Sequence, residues 1–112
     1  ESSSGRKITW PDGKIAAEVD IFLENTEYCL AVEVKSKLLE RHVDEHLKRL
    51  ETIKRYYTEI KHDGRSFLGA VAGAIMDEGV RNYALKAGFY VITQTGDTVK
   101  IDVPPDFVPR KW

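Results

Sequence analysis

Lys14-Ile15-Ala16-Ala17-Glu18-Val19-Asp20-Ile21-Phe22-Leu23, followed after a short polar break by Tyr28-Cys29-Leu30-Ala31-Val32-Glu33-Val34-Lys35, is the stretch that decides the fold. The first half alternates. Ile15, Ala17, Val19, Ile21 and Leu23 fall on one face of a strand, and Ala16, Glu18, Asp20 and Phe22 on the other. Glu24-Asn25-Thr26-Glu27 has turn composition, so the halves predict an antiparallel hairpin. A turn centred between Asn25 and Thr26 sets Glu18 opposite Glu33, Asp20 opposite Ala31 and Ala16 opposite Lys35. Directly opposed residues project to the same side. The expected outcome is three carboxylates and one ammonium on a single face, with alanines beside them leaving room for a substrate.

Working outward, Lys7–Trp10 predicts a short strand ahead of the Pro11-Asp12-Gly13 turn. Residues 1–6 read as a linker or tag remnant, and 7–112 as one domain, the C-terminal part of a longer protein. From Leu38 to Lys61 the apolar period becomes helical: Val43, Leu47, Leu50, Ile53 and Tyr57 are spaced by three or four. Phe67–Ile75 is apolar throughout and predicts a strand buried on both faces, its glycines marking a close neighbour. Asp77 caps a helix running to Ala87, and Gly88 stops it. Phe89–Thr95 and Thr98–Val103 form a last strand pair around Gly96-Asp97. The order is β-β-β-α-β-α-β-β, an α/β fold with a mixed sheet.

Glu18 opposite Glu33 is a like-charge pair, unfavourable in isolation. A divalent cation removes the conflict. Carboxylates, a backbone carbonyl and waters are the oxygen donors that suit Mg²⁺ or Mn²⁺.

Glu18-Val19-Asp20, then twelve residues, then Glu33-Val34-Lys35 with a serine and a long helix behind it, resembles the PD-(D/E)XK nuclease superfamily. The Gly/Ala-rich strand, the following helix and Gly88-Phe89-Tyr90-Val91-Ile92 are similar to uncharacterised prokaryotic members. The resemblance covers residues 14–103 and implies a restriction-endonuclease-like three-layer core with its first helix missing. It implies that Asp20 and Glu33 bind Mg²⁺ or Mn²⁺ with the Val34 carbonyl. Lys35 would then orient or deprotonate the attacking water, or stabilise the phosphate. Asp20, Glu33 and Lys35 are thus the expected catalytic residues, with Glu18 standing in part for the acidic residue of the missing helix. His46 falls where some members carry the glutamine of Gln-Leu-x-x-Tyr. The implied substrate is nucleic acid, DNA in the first instance; a second copy of the chain is a further expected partner. The alternative is a nuclease fold that binds or assembles without catalysis.

His42-Val43-Asp44-Glu45-His46 also matches the H-x-x-E-H pattern of inverted zinc peptidases, with two histidines one helical turn apart. A histidine at the core edge is the plainer reading. Asp44–Lys48, Glu45–Arg49 and Glu51–Arg55 predict a solvated helix face, whose Lys37, Arg41, Lys48 and Arg55 could instead follow a phosphate backbone.

Composition bounds these readings. With 42% hydrophobic and 31% charged residues in 112, the chain is an ordinary globular domain. A net charge of −1 gives no overall field for nucleic acid, so any such binding is local. A single cysteine, Cys29, excludes an internal disulfide and suits the cytoplasm. No apolar run reaches the ~20 residues of a membrane span, so no membrane partner is expected.

Overall fold

The structure is a computed structural model that describes residues 2–112. The elements are β1 (Ser2–Thr9), β2 (Ile15–Glu24), β3 (Tyr28–Leu38), α1 (Glu40–Glu59), β4 (Ser66–Met76), α2 (Glu78–Lys86), β5 (Tyr90–Thr95) and β6 (Thr98–Ile101). They form one mixed six-stranded sheet in the order β1-β2-β3-β4-β5-β6. The two inner pairs, β3–β4 and β4–β5, are parallel, and the helices make their crossovers. The outer pairs are antiparallel hairpins.

The element order is the one the periodicity predicts, with two differences at the N-terminal end. The stretch expected to be a linker is already strand: Ser3 pairs with Phe22, Ser4 with Ile21 and Arg6 with Val19. The β2–β3 register is also displaced by two residues from the expected one, pairing Ile21 with Val32, Phe22 with Ala31 and Glu24 with Cys29. Asn25 is the cause. Its Oδ1 accepts the backbone N–H groups of Glu27 and Tyr28 at 2.9 and 2.7 Å, and its own N–H donates to the Tyr28 carbonyl. This side-chain-driven turn moves the turn centre one residue onward. A shift of two preserves parity, so the paired residues, Ile21–Glu24 with Cys29–Val32, keep their expected relation across the ladder.

Both helices lie on one side of the sheet. α1 buries Val43, Leu50, Ile53 and Tyr57, α2 buries Val80 and Ala84, and these join Phe22, Cys29, Phe67, Val71, Phe89 and Val91 in one core. A Tyr83–Asp44 hydrogen bond of 2.6 Å ties the helices together. Gly69 explains the close fit: a β-carbon there would collide with the Phe89 ring and lie 3.3 Å from Leu50. The other sheet face presents Leu30, Val32, Leu68, Ala70, Ile92 and Ile101, with no charged side chain among them. No helix of the described residues covers it. The C-terminal tail borders it, Phe107 packing edge-on against Tyr90 at 5.3 Å. The described residues therefore make two layers, not the three that the resemblance implies. Cys29 is a buried core residue whose thiol burial pushes up to about 11. No helix among the described residues is long and apolar enough to cross a membrane.

Candidate metal centre

β2 does not keep one alternation along its length. Ala17 and Val19 are buried, two apart; the next buried residue is Phe22, three on. The strand changes its core-facing set across Asp20 and Ile21. Gly5, at φ +58°, lies opposite the same point, between the Ser4–Ile21 and Arg6–Val19 pairs. The β2–β3 ladder also ends here: Ile21–Val32 is its last pair. Beyond it, residues 15–20 pair with β1 and residues 33–38 with β4, so the strands part.

Asp20 sits at this fork. Its Oδ2 accepts the Val34 N–H at 2.8 Å, taking the bond that a continued β2 backbone would have taken. Glu33, on the neighbouring strand, is buried under α1 with its side chain 7% exposed. The two carboxyls hydrogen-bond to each other. That bond holds Asp20 below the usual carboxylate range, against the effect of its own partial burial, with help from the Val34 N–H, Lys35 and Arg49. Burial, followed by the bond to Asp20, pushes Glu33 up to about 7, although Arg49 and Lys35 pull the other way. Through neutral pH Glu33 therefore passes from the protonated to the ionised form, its proton shared with the ionised Asp20 until it leaves. Lys35 follows two residues after Glu33 on the same strand face, half-buried, its ammonium acting on both carboxyls.

Arg49 completes the arrangement. Its Nη1 lies 2.8 Å from Glu33 Oε2 and 2.7 Å from His46 Nδ1. On the other side of the ring, His46 Nε2 lies 2.9 Å from the Ala31 carbonyl. A carbonyl oxygen only accepts, so Nε2 carries the proton and Nδ1 accepts from Arg49. His46 is fully buried, and burial pulls it down to about 4, so it is neutral. A continuous chain of bonds thus runs from the Ala31 carbonyl through His46, Arg49, Glu33 and Asp20 to the Val34 N–H.

The residues predicted from sequence fare unequally. Asp20 and Glu33 are brought into contact, and Lys35 lies close enough to bias both. Glu18 is exposed, on the side of β2 away from Ala17 and Val19, because the strand changes its core-facing set between Val19 and Phe22 and its ladder with β3 has ended by then. The expected set of three carboxylates is therefore two, and among the described residues no three His, Cys, Asp or Glu side chains form a metal-holding group. His42 and His46 do not form a pair for zinc. His42 Nδ1 accepts the Leu39 N–H at 3.0 Å, closing the start of α1, and both nitrogens of His46 are engaged. Arg49 is the residue that the sequence reading misplaced. Its spacing from Glu45 suggests a solvated pair, but it turns inward. The signal was its position one turn after His46 on the stripe that faces the sheet.

The donor set fits a small hard cation: two carboxyls in contact, that of Glu33 pushed up chiefly by burial, beside an exposed strand segment at Val34. Mg²⁺ is commonly bound by one or two carboxylates with waters completing the shell. A cavity of about 270 Å³ opens next to Lys35, lined by Val34, Ser36, Gly73, Thr93 and Gln94. Comparison with protein-family models, with curated proteins and with solved structures finds no match to this chain.

Proposed function

We propose that this chain is a PD-(D/E)XK-type nuclease domain that hydrolyses phosphodiester bonds of nucleic acid, DNA in the first instance, with Mg²⁺ or Mn²⁺. The observation that carries the reading is the fork between β2 and β3, where Asp20 and Glu33 meet and Lys35 follows on the same face. Asp20, Glu33 and the Val34 carbonyl would hold the cation, which when bound supplies Lewis-acid polarisation of the phosphate and a more acidic water. The chain's own groups do the rest. Asp20 is fixed by the Val34 N–H, so its carboxylate is aimed rather than mobile. Glu33 would release its proton to solvent on binding the cation. Lys35 contributes a positive charge where the phosphate gains negative charge, and its three N–H donors can orient a water. Exposed Lys37, Arg41 and Lys48, at the end of β3 and along α1, would meet backbone phosphates.

The test is cleavage of supercoiled plasmid and of labelled single strands with Mg²⁺ or Mn²⁺ against an EDTA control. Lys35→Ala should retain Mn²⁺ binding, since an ammonium is no ligand for a hard cation, and lose cleavage. Cutting by Lys35→Ala at the wild-type rate would refute the assigned chemistry.

One observation favours a second reading, a nuclease-type fold kept for binding or assembly. The Arg49–Glu33 ion pair already neutralises one carboxylate without metal. An intact substrate in every assay, alongside Asp20-dependent metal binding, selects this reading.

A further inference from the structure

Arg49 and a divalent cation have claims on the same atom. Glu33 Oε2 is bonded to Arg49 Nη1 at 2.8 Å, inside a site where, among the described residues, the other carboxyl in contact is that of Asp20. Arg49 is not a loose surface charge. Its side chain is 21% exposed, and the same Nη1 is 2.7 Å from the Nδ1 of a histidine that is fully buried and locked to the Ala31 carbonyl. α1 therefore delivers a fixed positive charge to the floor of the fork. A ligand that needs both lone-pair regions of Glu33 must either share that oxygen with the guanidinium or displace it. Either way it enters against a positive charge held close by.

We propose that Arg49 is the resident counter-cation of the Asp20–Glu33 pair and that it competes with the divalent cation, setting the metal affinity of the site. His46 is then a positioning residue: it holds Arg49 against Glu33 and touches neither metal nor substrate. The proposal rests on the metal site put forward above and adds a term that site does not need. Without it, Arg49 is a structural ion pair whose loss leaves affinity unchanged or weakens it. With it, metal and guanidinium are antagonistic ligands, and removing one tightens the other.

The experiment measures Mn²⁺ binding by titration calorimetry on the intact chain at about pH 8.5, above the titration of Glu33, so that the proton is not a third competitor. Arg49→Gln should bind Mn²⁺ about tenfold more tightly than wild type, the size of an ordinary coupling between two ligands. His46→Gln, which loosens Arg49 without removing its charge, should move affinity the same way by a smaller factor. Asp20→Ala in the Arg49→Gln background should lose the binding, which ties the gain to this site. Should Arg49→Gln fail to fold, the wild-type protein supplies the readout. Nitrogen NMR of the guanidinium during a Mg²⁺ titration should show the hindered rotation of Arg49 released as metal binds, with other arginines unchanged. Asp20-dependent binding with unchanged or weaker affinity in Arg49→Gln, or an Arg49 signal untouched by bound Mg²⁺, overturns the competition and leaves the metal site standing. Absence of Asp20-dependent binding in both wild type and Arg49→Gln overturns both. Binding by Arg49→Gln alone supports the competition in its strongest form.

Discussion

A buried carboxyl that titrates near neutrality makes stability depend on pH in a calculable way, and Glu33→Gln isolates that dependence. The folded pKa of Glu33 lies above its unfolded value of 4.5, at about 7. The folded protein therefore binds more protons than the unfolded one between these values, and stability falls as pH rises through the window. The whole shift corresponds to about 3 kcal/mol, of which about 2.5 kcal/mol is lost between about pH 5 and about pH 8. Glutamine has the shape of the protonated acid and does not titrate. The two proteins should thus be of similar stability at the acid end, and Glu33→Gln should be more stable by about 2.5 kcal/mol at the alkaline end. Asp20 does not blur the comparison, because its shift acts below its ordinary value of 3.8. His46 is joined to Glu33 through Arg49, so the same comparison in a His46→Gln background removes its titration from the difference. The assay is urea unfolding in EDTA at each pH, read as the difference between variants at constant m. A difference that stays flat across the range would show that Glu33 is ionised throughout, and the shared-proton description of the pair would fall.

His46 alone should give acid sensitivity of the opposite sign. Its folded pKa is depressed from 6.5 to about 4, so the stability it contributes is complete above 6.5 and is lost as pH falls through that interval. A His46→Leu variant should show a shallower acid limb by circular dichroism, at a constant cost of about 1–3 kcal/mol for the unpartnered Ala31 carbonyl and Arg49. Saturating Mn²⁺ should raise the melting temperature of the wild-type protein and not of Asp20→Ala, because a ligand of the folded state stabilises by mass action; an equal rise in both places the metal elsewhere. Gly69→Ala should cost about 1–3 kcal/mol by forcing the Phe89 ring aside, and a neutral result in urea would mean that ring has room to move.

Much of this architecture was legible because periodicity reports burial. The long apolar stripe of α1, the uninterrupted run of β4 and the paired Gly88 and Gly96 breaks all have direct structural counterparts within a few residues. The hairpin register was not legible in the same way. It depended on which residue centres a four-residue turn, and that was decided by two hydrogen bonds to the Asn25 side chain. Parity survived the error as far as the ladder runs, so Asp20 and Glu33 still met, but the break in the alternation of β2 turned Glu18 away. The number of layers was beyond periodicity altogether. Alternation says which side of a strand is apolar, and the face bearing Leu30, Leu68 and Ile92 is apolar without a helix upon it. Arg49 was hidden for another reason: a charged residue on a helix reads as solvated until a buried partner is known to wait for it.

The interruption at Asp20 and Ile21 sets regularity against chemistry. Were the alternation from Ala17 and Val19 to continue unbroken, Ile21 would face the core next, and Asp20 would turn away from Glu33 to the opposite side. Such a strand would be the more ordinary one and would leave no place for a cation. β1 keeps its register with β2 through this point and meets the change of face with a glycine, Gly5, at positive φ. What is an irregularity by the standards of the sheet is what the fork depends on.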